Sequence, residues 1–349
     1  MVILPGSESV WKATFDDVNE AIRIQFGFDY YVGTLTAAVA IVAFAPITIL
    51  GNILALCAFY KDPNRELRSA PSNILLTSLA LSDLFVGAFQ SPLTAYYWIV
   101  NFNTETMPLP FTILLSVNAF VGLSSILHLL ALSADRFIAV VFPLRYVPTV
   151  TKKRTCIVAV CIWCYSLIVG LISAFLERII ASGTFLVAHI VIPCAFMMYF
   201  NGRVVIAMRR TSKELNSNVI NQQANLFQKR ERKVVKLVFL VLGVFVICYL
   251  PWVLTLTLVL TCNTCNAKAL VYTYSVSGIL LYVSPLIHPF LYTWRLPKFK
   301  NALLHYFATN SSSISGNVNS KKQYNLKASA ESPDIGVTNV SCVAVEVQA

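Results

Sequence analysis

Charged side chains are scarce in this chain. Asp, Glu, Lys and Arg make up only 12% of its 349 residues, whereas a soluble globular domain averages about 25%. Hydrophobic residues make up 57%, and long stretches of the sequence carry no charge at all. This composition argues against a water-soluble protein and indicates a chain whose solvent is largely lipid.

The sequence also lacks the motifs of several other protein classes. It has no His-Glu-x-x-His, no Gly-x-Ser-x-Gly and no paired carboxylates within an apolar run, so we predict that it is not an enzyme. The internal repeats expected of many transporters are absent. Residues 1–30 show no basic start followed by an apolar core, so we expect no secretory signal peptide and assign insertion to the first membrane helix.

Seven apolar runs are present, and each is long enough to cross a bilayer as a helix of about 20 residues. Only the second run contains a charged residue, Asp83. We therefore predict an all-α fold, a bundle of seven transmembrane helices. The runs cover residues 31–60, 70–99, 107–134, 155–176, 183–202, 237–261 and 269–293.

The placement of the basic residues predicts the orientation of this bundle. The formal net charge is +11, and of the 27 Lys and Arg only Lys12, Arg23, Arg178 and Lys268 fall in segments assigned outside. Basic residues concentrate in the cytoplasmic segments of membrane proteins. We therefore predict a multi-pass plasma-membrane protein with an extracellular amino terminus, a cytoplasmic carboxyl terminus and no nucleic-acid partner.

The predicted organisation has four parts. Residues 1–30 form an extracellular segment, and residues 31–294 form the transmembrane domain. In residues 295–307, apolar and basic side chains alternate at helical spacing, which predicts an amphipathic helix on the membrane surface. Residues 308–349 are rich in Ser and Asn and are expected to be disordered; their Ser/Thr cluster is a candidate for receptor kinases and arrestin.

Short motifs in all seven runs carry a family resemblance. They are Gly51-Asn52, Leu79-Ala-Leu-Ser-Asp83, Asp135-Arg136-Phe137, Trp163, Pro193, Phe245-Val-Ile-Cys-Tyr-Leu-Pro251 and His288-Pro-Phe-Leu-Tyr292. In this order and spacing, the chain resembles the rhodopsin-like (class A) G protein-coupled receptors. The resemblance implies a receptor that binds an extracellular ligand within the bundle and activates a heterotrimeric G protein by outward movement of the sixth helix.

A carboxylate at mid-membrane is expensive and is usually paired or functional. The resemblance implies that Asp83 binds sodium together with Asn52, Ser125 and a seventh-helix Asn or Asp, but the last position holds His288. We therefore hypothesise a direct Asp83–His288 pair in place of sodium, which is the one cofactor considered. A carboxylate beside an imidazole favours its charged form, so we expect signalling to respond to pH. The structural alternative is a hydrogen bond between Asp83 and Asn52.

The resemblance also implies an activation switch. Arg136 pairs with Asp135 and with Glu231 at the start of the sixth helix, and it is released when that helix moves; such a charge pair between movable helices is a plausible bistable element. Further switch residues are the connector beneath the pocket, the two helix kinks and a tyrosine: Ile126, Pro193, Phe245, Pro251, Pro289 and Tyr292. The expected G-protein contacts are Arg136, Pro143 and Leu144.

The resemblance places a ligand pocket among aromatic and nearly uncharged side chains, as is usual for a small-molecule site. The pocket residues are Asn118, Gly122, Phe185, His189, Tyr249, Trp252, Tyr274 and Tyr282. Amine receptors have Asp where this chain has Asn118, which disfavours a protonated monoamine. Opsins hold retinal through a Lys where this chain has Tyr282, which disfavours a retinal Schiff base.

The usual disulfide between the third helix and the second outer loop is missing, since Phe111 occupies the third-helix position. Its absence tilts the resemblance toward melanocortin and lipid-binding receptors, with some likeness to adenosine receptors. Cys262 and Cys265 lie in an outer loop and are candidates for a short disulfide; a two-cysteine zinc site is less favoured, because no further ligands are close in sequence.

Two other functions stay open. Asn201 stands where the family has a Tyr that supports the active state, and Tyr249 stands where it usually has Trp. With His288, these departures are compatible with a receptor-like protein that does not signal. A transporter or channel is less favoured, because the membrane runs hold only one charged residue.

Overall fold

The computed structural model is helical throughout the residues that it describes. These are residues 15–60, 67, 70–103, 111–175, 187–217, 222–261, 267–295 and 304. The helices are α1 (Phe15–Tyr60), α2 (Pro71–Phe85), α3 (Ser91–Asn103), α4 (Phe111–Val141), α5 (Pro143–Thr149), α6 (Lys152–Phe175), α7 (Ile192–Ser217), α8 (Gln222–Thr261) and α9 (Ala267–Arg295). Two π-helical turns, Val86–Gln90 and Val187–Val191, lie between α2 and α3 and before α7.

These elements form seven spans: α1, then α2 with α3, then α4, α6, α7, α8 and α9. Six helical stretches among the described residues are long and apolar enough to cross a membrane, and the sixth span contains a shorter apolar stretch, Phe239–Thr255. The predicted seven-helix bundle is therefore confirmed. The first helix begins at Phe15, ahead of the predicted 31, although its apolar part begins at Val32.

Met1–Leu303 form one compact unit. Beyond Arg295 only Leu304 is described, so the predicted surface helix 295–307 and the tail lie outside the described residues.

The third span is at the centre of the bundle. It packs against the second, fourth, fifth and sixth spans, while the seventh packs mainly against the first and sixth. Leu79, Ile126 and Phe245 belong to the main apolar core between these helices. Large apolar side chains such as Leu50 and Ile247 are more than half exposed. In water they would form unusually large apolar patches, but in a bilayer they face lipid.

A π-helical turn interrupts the second span because of Pro92. Proline has no N–H, so the carbonyl of Ala88 cannot receive the usual bond from four residues on. The chain widens instead, and the Ser91 amide bonds to the Val86 carbonyl, which also accepts the Ser91 hydroxyl at 2.8 Å. The inserted residue rotates α3 relative to α2 and places Thr94 against the seventh span.

Glycine permits the closest approach of the third and fourth spans. A Cβ atom at Gly170 would lie 2.8 Å from the Phe120 Cβ and 2.9 Å from the Ser116 carbonyl oxygen. Nearby, the Trp163 indole donates a hydrogen bond to the Ser78 hydroxyl at 2.8 Å, which ties the fourth span to the second. Since backbone and Cβ atoms cannot rotate away, a side chain at Gly170 must separate the helices.

We expect Gly170→Ala to destabilise the protein by about 1–3 kcal/mol, the usual cost of overpacking. The measurement is the thermal unfolding midpoint of the purified protein. Gly202→Ala is the matched control, because a Cβ there meets nothing within 4 Å. If both variants unfold at the wild-type temperature, the third and fourth spans are not in close contact.

Candidate functional site

Asp83 and His288 form a buried pair at the centre of the bundle. Their side chains are 1% and 2% exposed, and the His288 Nδ1 lies 2.7 Å from the Asp83 Oδ2. On the other side of the ring, Nε2 lies 3.2 Å from the Ser284 hydroxyl, one turn earlier on α9. The contact predicted from the sequence is therefore present, and it joins the second span to the seventh.

Asn52 joins the first span to the seventh through a carbonyl that proline leaves available. Pro289 has no N–H, so the Pro285 carbonyl lacks its usual helical partner. The Asn52 amide donates to that carbonyl at 3.3 Å and to the Thr48 carbonyl at 2.9 Å. The alternative hydrogen bond between Asn52 and Asp83 is not formed among the described residues, and that expectation is wrong.

Ser125, the expected third-helix partner of Asp83, is bonded elsewhere. Its hydroxyl lies 3.0 Å from the Ser82 hydroxyl, and Ser82 is also 3.5 Å from the Val121 carbonyl. Within the described residues, the Asp83 Oδ1 and Asn52 Oδ1 atoms are buried and have no protein partner. Of the four residues predicted for a sodium site, Asp83 and His288 are therefore bonded to each other, while Asn52 and Ser125 are bonded to other groups.

The connector residues of the third, fifth and sixth spans are all buried. Ile126 and Phe245 are buried in the same apolar core, and Pro193 on the fifth span is also buried. The Phe245 ring stacks on the Tyr249 ring with centroids 4.1 Å apart. Tyr249 also packs against this core, so the sixth helix contributes two stacked aromatic rings to it.

Arg136 is held by its neighbour on the third span. Its guanidinium pairs with the Asp135 carboxylate through Nη2 and, at 2.8 Å, through Nε, and both residues are buried. Tyr146 on α5 donates to the second Asp135 oxygen at 3.1 Å. The side chains of Glu231 and Tyr292 lie outside the described residues, so the predicted Arg136–Glu231 pair stays a prediction.

The short helix α5 projects from the Arg136 end of the bundle. It contains no buried residue, and Leu144 is 92% exposed. Pro143 begins the helix, where a missing N–H has no cost. The helix is joined to the buried arginine pair through the bond from Tyr146 to Asp135.

Asn201 ties the fifth span to the third. Its amide donates to the Ser133 hydroxyl at 3.0 Å and to the Met197 carbonyl at 2.8 Å. Ser133 lies one turn before Arg136 on the same helix, so this bond fixes the fifth span close to the arginine. The residue that stands in place of the family's tyrosine therefore still makes an interhelical contact.

The predicted pocket residues fall into two groups. The Tyr282 hydroxyl donates to Thr94 at 2.8 Å, so this side chain is fixed in place. Asn118 is different, because its buried Oδ1 has no partner within the described residues.

Gly122 lies one turn beyond Asn118, and a Cβ there would meet nothing within 4 Å. The structure therefore leaves open space beside a hydrogen-bond acceptor on the third span.

His189 faces the fourth span. Its ring stacks on Tyr165 with centroids 6.3 Å apart, and Nε2 lies 3.2 Å from the Tyr165 hydroxyl. Tyr165 is 47% exposed, so the pair lies toward the lipid-facing surface. The remaining predicted pocket residue, Phe185, and the cysteines Cys262 and Cys265 lie outside the described residues.

Sequence reasoning missed five residues that complete these contacts: Thr94, Ser133, Tyr146, Tyr165 and Ser284. Only Ser284 had a usable signal, since it precedes His288 by four residues and must share its helix face. The other four act across helices, where sequence distance gives no indication of contact.

A known protein family matches most of this chain. The sequence profile of the 7 transmembrane receptor (rhodopsin family) matches residues 51–183 and 176–292. The chain belongs to this family. Its members are receptors and not enzymes, so the predicted class is confirmed, and the protein is a multi-pass receptor of the plasma membrane.

Three relatives show how wide the likeness is. Melanopsin of Podarcis siculus is 26% identical over 297 residues, which cover 77% of this chain and 61% of that protein. Trace amine-associated receptor 13c of Danio rerio is 28% identical over 319 residues, covering 82% and 91%. Adenosine receptor A2a of Canis lupus familiaris is 25% identical over 292 residues, covering 74% and 68%. The tilt toward melanocortin and lipid-binding receptors stays a prediction.

We expect Ser133 and Asn201 to be energetically coupled in this receptor by about 0.6 kcal/mol, the average for an interhelical hydrogen bond in a membrane protein. A double-mutant cycle with Ser133→Ala and Asn201→Ala, measured by unfolding of the purified receptor, determines this value. Ser166→Ala with Asn201→Ala is the control cycle and should be additive. Additivity in both cycles would rule out the predicted bond.

Proposed function

We propose that this receptor binds an uncharged ligand within its helix bundle and activates a heterotrimeric G protein at the end that carries Arg136. That end is cytoplasmic in the proposal, and the amino terminus is extracellular, as the distribution of basic residues favours. The observation that carries the proposal is the buried Arg136–Asp135 pair beside the exposed helix α5.

The Arg136–Asp135 pair is suited to act as a switch. A buried ion pair contributes little net stability, but separating its partners is costly unless each finds a new one. The pair therefore favours the conformation seen here until another acceptor, or the G protein itself, engages the guanidinium. Tyr146 bonds to the same carboxylate, so movement of α5 would affect the pair directly.

The sixth helix is the element best placed to move. It contacts the fifth span only weakly, and Pro251 interrupts its backbone hydrogen bonding. By contrast, the first, second and seventh spans are joined by the Asp83–His288 and Asn52–Pro285 bonds. Ligand contact with Tyr249 or Trp252 can therefore shift the sixth helix while the rest of the bundle stays fixed.

The pocket residues support a ligand without a positive charge. No Asp or Glu occurs among the predicted pocket residues, and Asn118 offers a neutral acceptor where an amine receptor has a carboxylate. This favours an aromatic ligand with a hydrogen-bond donor over the class named by the trace amine-associated relative. An adenosine receptor is also among the relatives, and a neutral heteroaromatic ligand of that general kind is compatible with the pocket.

The likeness to melanopsin does not carry over to a retinal Schiff base. The position for the lysine is Tyr282, which is buried and donates its hydroxyl to Thr94. A phenol cannot form an imine with an aldehyde. Light sensing through covalently bound retinal is therefore not proposed for this receptor.

We expect Arg136→Ala to reduce signalling to the level of untransfected cells, and Asp135→Asn to raise basal signalling several-fold because it weakens the hold on the arginine. The measurement is cAMP and calcium in cells with matched surface expression. Lys153→Ala, which removes an exposed cation at the same end, should signal normally. A receptor-like protein without coupling would show the same baseline for all four chains.

We expect Gly122→Leu to fill the open space beside Asn118 and to lower ligand potency at least tenfold, or about 1.4 kcal/mol. We also expect Asn118→Asp to admit protonated aryl amines, because it supplies a counter-ion. The measurement is the signalling response to a panel of uncharged aromatics and aryl amines. Gly202→Leu is the control. A wild-type response confined to the amines would contradict the proposed ligand class.

A further inference from the structure

We propose that the imidazole of His288 takes the place of a sodium ion beside Asp83, so that this receptor core does not bind sodium. The proposal concerns the folded bundle only and is independent of ligand identity and G-protein coupling.

The Asp83 carboxylate is already paired with His288 in the folded protein. The His288 Nδ1 lies 2.7 Å from the Asp83 Oδ2, and one proton joins the two atoms whichever group carries it, so this carboxylate oxygen already has a partner. The Nε2 atom, 3.2 Å from the Ser284 hydroxyl, has a partner that can either donate or accept. The pair is therefore satisfied whether the ring is neutral or charged, and it needs no added cation.

A hard cation such as sodium requires oxygen ligands. The Ser125 hydroxyl, a family ligand, is bonded to Ser82. The seventh helix contributes an N–H donor where the family has a side-chain oxygen, and a donor pointing at the carboxylate repels a cation.

Two hydrogen-bond acceptors in this region remain to be satisfied. The Asp83 Oδ1 and Asn52 Oδ1 atoms are buried and have no protein partner in the described part of the chain. Buried water commonly serves such atoms and makes about three hydrogen bonds. A neutral donor is sufficient, because His288 already opposes the carboxylate.

The test is thermal unfolding of the purified full-length receptor in sodium chloride and in choline chloride at equal ionic strength and pH. We expect the wild-type midpoint to be the same in both salts. We expect His288→Asn, which restores an oxygen ligand and removes the imidazole, to show a saturable rise in midpoint with sodium. The double variant Asp83→Asn with His288→Asn should lose that rise.

Two results would contradict the proposal. A saturable, sodium-specific rise in the wild-type midpoint would overturn the proposal, whatever the variants do. A folded His288→Asn receptor that shows no sodium response would also contradict it, since another feature would then exclude the ion. If that variant does not fold, His288→Asp gives the same test with a carboxylate. Because the readout is stability, failure of the proposed signalling function leaves the result unaffected.

Discussion

The bundle depends on the pairing of one buried carboxylate. Asp83 is the only charged residue in the seven apolar runs, and its isolation in lipid would be costly. Packing against His288 offsets this cost within the protein and brings the second span to the seventh. The Pro285 carbonyl, left available by Pro289, then attracts Asn52 of the first span. One stretch of the seventh helix thus fixes three spans.

Polar contacts between helices are concentrated on the third span. Apolar packing is no stronger between helices than between a helix and lipid, so small polar groups provide much of the specificity. Ser125 bonds to the second span and Ser133 to the fifth, while Gly170 lets the fourth approach closely. The sixth span packs broadly on the seventh but only weakly on the fifth, so it can separate from the fifth span at low cost.

The sequence predicted the fold well because lipid imposes strong rules on chain length and charge. Seven apolar runs and one intramembrane Asp were sufficient to predict the bundle and the Asp83–His288 contact. The π-helical turns at Val86–Gln90 and Val187–Val191 were not predicted, although each lies close to a proline. A turn of this kind rotates all that follows it, so the partners of Thr94 and His189 depend on a feature that hydrophobic periodicity does not show.

The position of Tyr249 suggests how these parts work together. Its ring stacks on Phe245 toward the Arg136 end, and it lies within electrostatic range of both Asp83 and Tyr282. A ligand beside Asn118 and Gly122 would therefore act on a side chain that already contacts the apolar connector and approaches the polar core. Because packed cores change between discrete arrangements and do not deform smoothly, a small displacement of Tyr249 is sufficient to favour a different arrangement of the sixth helix. In the proposed movement, the Asp83–His288 and Asn52–Pro285 bonds hold the first, second and seventh spans together as a fixed frame.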